Sequence, residues 1–163
     1  MGWATRDVSV LLDKSLFSVK KGFKSKDEDY PESLLFTTSE GERYLMYHSQ
    51  DCCESVTIDD ICGELDDLVG SPIVMAEQST NANENPENMV RPDESDEYKD
   101  ESFLWTFYRI ATARGTVVIR WYGSSIGYYS ESVDFVQIES IPAPGIPTID
   151  NPVKLPGTRR LTL

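Results

Sequence analysis

The sequence is poor in the features that would identify several common classes of protein. Its 163 residues include three cysteines and one histidine, and no apolar run approaches the ~20 residues of a membrane-spanning helix. The start of the chain also lacks the apolar segment of a signal peptide. We therefore expect neither a membrane protein nor a disulfide-stabilised one, and the cysteine usage favours a reducing compartment.

Basic residues are also scarce, and they are concentrated at the two ends of the chain. The 15 Lys and Arg residues face 28 Asp and Glu residues, which gives a formal net charge of −13. Residues 1–26 carry a net charge of +4 and residues 140–163 a net charge of +2, so residues 27–139 carry −19. A body this acidic repels phosphate backbones, which argues against nucleic-acid binding by the body.

The apolar pattern predicts an α+β fold that is mostly antiparallel β-sheet. Residues 34–47 form two apolar runs around a turn that contains Gly41, which predicts a hairpin. Residues 102–138 form three β-rich runs with Gly-containing turns, which predicts a three-stranded meander. In the first of these runs, Phe103, Trp105 and Phe107 share one face.

One short amphipathic helix is predicted between the hairpin and the meander. Within residues 57–70, five apolar residues recur at spacings of three and four, which is the pattern of one apolar helix face. They are Ile58, Ile61, Leu65, Leu68 and Val69. Thr57 is a suitable N-cap, and Gly70 and Pro72 punctuate the other end.

Composition divides the chain into one domain with two appendages. We expect a basic N-terminal extension over residues 1–32, a domain over residues 33–139 and a proline-rich C-terminal arm over residues 140–163. Within the domain, residues 79–101 contain four Asn, two Pro and eight acids against two bases. Such a polar segment predicts an acidic loop insertion, which is mobile unless a partner holds it.

The histidine and the cysteines are the residues best suited to metal binding or redox chemistry, but the sequence pattern favours structural roles for them. His48, the adjacent Cys52 and Cys53, and Cys62 are zinc ligands by type. Adjacent cysteines in an extended chain point to opposite faces, however, and Cys62 falls beside the apolar face of the predicted helix. We predict no catalytic residue, no metal ligand and no cofactor, with metal binding and redox chemistry as the weaker alternatives.

The candidate binding residues are aromatic side chains beside glycine turns, together with acids of the insertion. Tyrosine and tryptophan beside such turns are typical of contact surfaces, and the alternative is a hairpin whose aromatic residues complete the core. The eight candidates are Trp121, Tyr122, Tyr128, Tyr129, Asp93, Glu94, Asp96 and Glu97.

Two segments are distinctive in combination. The first is Asp51-Cys52-Cys53-Glu54-Ser55, and the second runs from Trp121-Tyr122-Gly123 through Gly127-Tyr128-Tyr129-Ser130-Glu131. Together they resemble a family of small uncharacterised proteins encoded mainly by bacteriophages, over roughly residues 33–139. The resemblance implies a phage origin and a location in the host cytoplasm or the virion, and it brings no activity with it.

Two non-enzymatic functions follow as expectations. In the first, an acidic phage accessory protein binds a host protein as an inhibitor or modulator, with an anti-defence role or mimicry of nucleic-acid charge as its form. In the alternative, the protein is a structural component of the particle, whose terminal arms contact neighbouring subunits. Both have a protein partner and no membrane partner, and both leave a homo-oligomer open.

Overall fold

The computed structural model describes residues 2–148, which form two antiparallel β-sheets. The strands are β1 (Ala4–Thr5), β2 (Leu16–Lys24), β3 (Asp29–Thr38), β4 (Arg43–Tyr47), β5 (Ser55–Cys62), β6 (Met75–Ala82), β7 (Ser102–Thr112), β8 (Gly115–Ser125) and β9 (Asp134–Ile138). The first sheet has the order β1-β9-β4-β3-β2, and the second has the order β5-β8-β7-β6. Two 3-10 helices, Val8–Leu11 and Leu65–Leu68, connect strands.

The predicted α+β class is wrong, because the predicted helix is strand β5 followed by a turn and a 3-10 helix. A register shift between Ile58 and Asp60 inserts an extra residue opposite β8. Ile58 therefore pairs with Trp121 and Ile61 with Ile119, so both isoleucines pack against the same core. A bulge thus gave a strand the spacing of three that the sequence pattern attributes to a helix.

The predicted hairpin is confirmed, whereas the predicted meander is wrong in its third strand. β3 pairs with β4 around the turn that contains Gly41, and β7 pairs with β8 from Ser102 to Thr112. The third run forms β9, which pairs with β4 and β1 in the first sheet. The physical reason is that β5 occupies the other side of β8, so β8 has no free edge for β9.

The main core lies between the two sheets. β7 and β8 contribute alternate residues to it, as the pleat requires. These residues are Tyr108, Ile110, Val117, Ile119 and Trp121, and they meet Leu34, Phe36, Tyr44 and Met46 of the first sheet. Trp121 is fully buried, and its Nε1 donates to Sδ of Met46 at 3.3 Å.

The first sheet covers its other face with its own aromatic residues. Trp3 lies beside the edge strand β1, yet its ring centroid is 6.1 Å from Phe23 on the opposite edge strand β2. Trp3 also contacts Tyr30 at 6.2 Å and Tyr47 at 5.7 Å. The sheet must be strongly curved for its two edges to share these contacts. Trp3, Phe23, Tyr30 and Tyr47 are called the aromatic cover below.

The basic N-terminal segment is part of this sheet. Residues 4–5 pair with β9, and residues 16–24 pair with β3. Three of its lysines, Lys20, Lys21 and Lys24, are exposed on the edge strand β2. The segment that composition separates as an extension therefore supplies both edges of the first sheet.

Candidate interaction surface

The outer face of the second sheet is aromatic. Phe103, Trp105 and Phe107 of β7 point away from the main core, and Tyr122 of β8 lies beside them. Trp105 is 1% exposed, and Phe103 and Tyr122 are also buried. Residues 83–101, called the acidic loop below, pack on this face and remove it from water, which is favourable for apolar surface.

The acidic loop is fixed to β7 from its first residue. Asn83 donates its backbone N–H to the carbonyl of Phe103 at 2.8 Å, and its Oδ1 accepts from the Phe103 amide at 2.9 Å. Two residues further on, Oδ1 of Asn85 accepts from Nε1 of Trp105 at 3.1 Å. These bonds satisfy polar groups of β7 that the loop would otherwise bury without partners.

Arg91 is the central anchor of the acidic loop. Its guanidinium carbon lies 4.4 Å from the ring centroid of Phe103, within the range of a cation–π contact. Its Nε and Nη2 donate to the two carboxylate oxygens of Asp93 at 2.6 and 2.8 Å. Nη2 also donates to the carbonyl of Asp100 at 2.9 Å. Arg91 is buried, and the Asp93 carboxylate compensates its charge within the loop.

The anchor continues onto β8 through two hydroxyl groups. The Tyr122 hydroxyl donates to Oδ1 of Asp93 at 2.8 Å, and the Ser124 hydroxyl donates to Oδ2 of Asp100 at 2.8 Å. The hydrogen bonds from Arg91 hold the pKa of Asp93 below its usual range. Burial and the bond to Asp93 raise the pKa of Tyr122. At neutral pH an ionised acceptor therefore faces a neutral donor.

The remaining acids of the loop point into solvent. Glu94, Asp96 and Glu97 are exposed, and Tyr98 beside them is 89% exposed. Glu94 forms an ion pair with Lys99 at 2.8 Å on this surface. The loop carries eight acids against two bases, and Arg91 neutralises one of the acids internally. A strongly negative surface is thus presented on a backbone fixed from below.

A second exposed element, residues 126–132, follows β8 and is called the tyrosine loop below. Tyr128 is 88% exposed and Tyr129 is half-buried, with their ring centroids 6.3 Å apart. The Glu131 carboxylate accepts from the hydroxyls of Ser102 at 3.1 Å and Ser125 at 2.9 Å. Since β7 begins at Ser102, the tyrosine loop lies at the end of the sheet where the acidic loop rejoins it.

Gly123 allows the tyrosine loop to fold back over β8. A Cβ at this position would lie 2.6 Å from the carbonyl oxygen of Glu131, which is backbone and cannot easily move. The close approach therefore requires a residue without a side chain.

The structure brings two of the eight predicted site residues into contact and separates one from the rest. Tyr122 and Asp93 are joined by the hydrogen bond described above. Trp121 is buried in the main core and is not part of the surface. The other five lie at the surface of the two loops: Glu94, Asp96, Glu97, Tyr128 and Tyr129.

Sequence patterns missed the residues that hold the surface in place. Arg91, Asn83 and Asn85 lie in a segment whose composition indicates mobility, whereas the structure docks that segment on the sheet. One signal was available: Arg91 and Lys99 are the two bases among eight acids in this stretch. An isolated arginine close in sequence to an aromatic strand is a suitable stacking and bidentate partner.

A polar cluster lies at the end of β4. Nδ1 of His48 is 2.7 Å from the carbonyl oxygen of Ser132, and Nε2 is 2.7 Å from Oε2 of Glu54. Both ring nitrogens therefore have oxygen partners, which fix the orientation of the ring. Burial opposes ionisation of Glu54, but the amides of Cys52 and Asp51 and the His48 ring lower its pKa to about 2. The cluster connects β4 to the tyrosine loop.

The cysteines differ from the sequence expectation. Cys52 and Cys53 are joined by a disulfide, and the chain bends at these two residues rather than running extended through them. Cys62 is exposed, and its Sγ donates to Oδ2 of Asp60 at 3.2 Å, which raises the pKa of the thiol. Among residues 2–148, no group of three or more His, Cys, Asp or Glu side chains is arranged to hold a metal ion.

The fold and the surface define the class: a two-sheet antiparallel β protein with an anchored acidic loop. Within the described range, no helix has the length and apolar character needed to cross a membrane. The model of one family, the Domain of unknown function (DUF7448), matches residues 9–135. The chain therefore belongs to this family, and the matched region includes both loops. No curated protein and no solved structure matches the chain.

Proposed function

We propose that this protein is a non-enzymatic bacteriophage accessory protein that binds a host protein in the host cytoplasm and modulates it. The acidic loop is the contact surface, and its partner is a basic protein surface that normally holds nucleic acid. The observation that carries the proposal is the anchoring of the loop by Arg91, which keeps Glu94, Asp96 and Glu97 exposed on a fixed backbone.

Anchoring matters because a fixed loop loses little conformational entropy when a partner binds. A mobile acidic segment would have to be ordered at that moment, at a cost in affinity. The negative charge of residues 27–139 would also attract a basic partner over a distance and disfavour acidic ones. Tyr98 adds exposed aromatic contact area beside the acids, and Tyr128 adds a second exposed ring on the tyrosine loop.

The two carboxylates best placed for acid–base chemistry support a binding role over catalysis. Asp93 is engaged by Arg91 and Tyr122, and Glu54 is engaged by His48 and two backbone amides. Each group serves as a structural acceptor and is surrounded by its own partners. The alternative function, a particle component with terminal arms, has less support, since residues 4–5 and 16–24 are strands of the first sheet. The C-terminal arm lies largely outside the described residues.

The test is affinity capture of the tagged protein from bacterial lysate with nuclease added, read by mass spectrometry. The surface variant is Glu94→Gln/Asp96→Asn/Glu97→Gln, which removes three exposed charges. The matched control is Glu40→Gln/Glu64→Gln/Glu139→Gln, which removes three exposed charges outside both loops. We expect one stoichiometric host protein with the wild type and the control, and its loss with the surface variant.

The same experiment can contradict the proposal. Equal loss of the captured protein with both variants would mean that net charge, rather than the acidic loop, governs binding. Capture of nothing above background would favour the particle component, whose partners exist in the assembling virion.

A further inference from the structure

The four edges of the two sheets differ in how well they are protected against pairing with another chain. Exposed edge strands are templates for strand addition, and proteins block them with bulges, charges, short strands or covering segments. The first sheet has β1 and β2 at its edges, and the second sheet has β5 and β6.

Three of the four edges are protected. β1 is two residues long, and β2 has two register shifts, three lysines and contacts from residues 69–72 along its start. β5 has the bulge after Ile58, whose edge amide donates instead to Oε2 of Glu32 at 3.2 Å. Each of these features prevents a regular ladder on that edge.

β6 is less protected: it is eight residues long, has no register shift and carries a single charge, Glu77. It pairs with β7 over eight consecutive residues, Met75 to Ala82, without a register shift. Val8–Leu11 packs against β6, and Val8, Leu11 and Ala76 belong to the main core, whereas residues 77–80 are all exposed. This stretch contains no proline and no lysine.

The direction of the free backbone groups follows from the neighbouring pairs. Asn83 donates to the carbonyl of Phe103, which makes the odd-numbered residues of β6 the ones bonded to β7. The two-residue turn between Thr112 and Gly115 agrees, because it directs the even-numbered residues of β7 toward β8. The N–H and C=O groups of Gln78 and Thr80 therefore point away from the sheet.

We propose that the free edge of β6 accepts an extended segment of the partner protein as a fifth strand of the second sheet. This inference rests on the proposed function for the basic character of the partner. The charge distribution selects the segment: β6 and the acidic loop that continues from it carry nine acids against two bases. A strand with Lys or Arg at alternate positions would place these side chains on the face that carries the acidic loop.

The probe is a synthetic peptide of about ten residues in which lysine alternates with valine or threonine. Its control has glutamate in place of lysine. The edge variant is Thr80→Pro, which removes an outward N–H that the sheet itself does not use, and its matched control is Thr80→Ala. Affinity is measured by fluorescence anisotropy, and amide hydrogen exchange of wild-type Gln78 and Thr80 reports pairing without any mutation.

We expect the lysine peptide to bind the wild type and Thr80→Ala equally, and Thr80→Pro about tenfold more weakly or worse. Bound peptide should slow exchange of the Gln78 and Thr80 amides, and the glutamate peptide should not. Binding that Thr80→Pro leaves intact but that Glu94→Gln/Asp96→Asn/Glu97→Gln abolishes would overturn strand addition and leave the proposed function standing.

Two further results would also overturn strand addition. The first is a lysine peptide that fails to bind the wild type, in which case the lysate capture still decides the proposed function separately. The second is protection of the Gln78 and Thr80 amides in the peptide-free protein that rises with protein concentration, because a second copy of the chain would then occupy the edge.

Discussion

The two sheets cover their outer faces in opposite ways. The first sheet uses apolar rings: Trp3, Phe23, Tyr30 and Tyr47 meet across its curved surface. The second sheet uses a polar loop, whose Arg91 stacks on Phe103 and binds Asp93. The first cover uses its side chains for packing, whereas the second leaves most of its acids exposed.

The comparison explains how a strongly acidic segment can be ordered. Conformational entropy is lost when any loop is fixed, and a polar loop buries little apolar surface of its own. Here the apolar surface is supplied by the sheet, and one buried arginine connects it to the loop. The loop then needs only a few compensated charges to dock, and the others stay available for a partner.

The largest effect on stability is expected from Arg91→Met, which removes the anchor of the acidic loop. It leaves the Asp93 carboxylate without its bidentate partner, and we expect a loss of about 3 kcal/mol in the free energy of unfolding. Limited proteolysis should cut within the acidic loop. Lys99→Met is the matched control, because its exposed ion pair with Glu94 contributes less than about 1 kcal/mol. Equal effects of the two variants would contradict the anchor.

The next largest effect on stability is expected from Trp3→Ala, which removes one ring of the aromatic cover. Trp3 is half-buried, so we expect a loss of about 2 kcal/mol in denaturant unfolding, below the range for a fully buried tryptophan. Proteolysis of the acidic loop should not change. The double variant with Arg91→Met should lose the sum within about 0.5 kcal/mol, and strong coupling would mean that the covers are not independent.

A smaller effect is expected from Tyr122→Phe. The change removes the hydroxyl that donates to Asp93 but keeps the ring against Trp105, so we expect a loss of about 1 kcal/mol. Chemical denaturation measures it. In Arg91→Met, the loss from Tyr122→Phe should be different, since both groups bind one carboxylate, and identical losses in the two backgrounds would be evidence against a shared site.

Lowering the pH should distinguish the acidic loop from the aromatic cover without any mutation. The folded pKa of Asp93 is lowered by Arg91, so the stabilisation is complete above the unfolded value of about 4 and is lost as pH falls through the folded value. The contribution of Glu54 to stability has the same pH dependence, and it is lost as pH falls through the folded pKa of about 2. Hydrogen exchange against pH should show the acidic loop opening below pH ~4. The aromatic cover should stay closed, because contacts between its rings hold it in addition to the hydrogen bond from Tyr30 to Glu28. Parallel opening of both covers would contradict this account.

Local alternation predicted the strands well where neighbours in sequence are also neighbours in space. The hairpins β3–β4 and β7–β8 are of this kind, and the shared face of Phe103, Trp105 and Phe107 is correct. Periodicity could not show that a bulge in β5 imitates a helix, because the extra residue is defined by its partner strand. It also could not place β9, since the occupied edges of β8 are set by strands distant in sequence.

The candidate surface was predictable in its exposed residues and not in its support. Glu94, Asp96, Glu97 and Tyr128 are exposed as expected from their residue types. Trp121 and Tyr122 are adjacent, so the pleat sends one into the core and the other under the loop. Composition cannot reveal that a loop of low apolar content docks on apolar surface contributed by other strands.

The most direct test of the central claim is hydrogen exchange at the backbone amides of the acidic loop in the wild type and in Arg91→Met. The amide of Met89 donates to Pro86, that of Glu94 to Arg91 and that of Asp96 to Asp93, all within the loop. An anchored loop predicts slowed exchange at these amides in the wild type and exchange near the rate of an unstructured peptide in Arg91→Met. Unprotected amides in the wild type, with no change in the variant, would contradict the account.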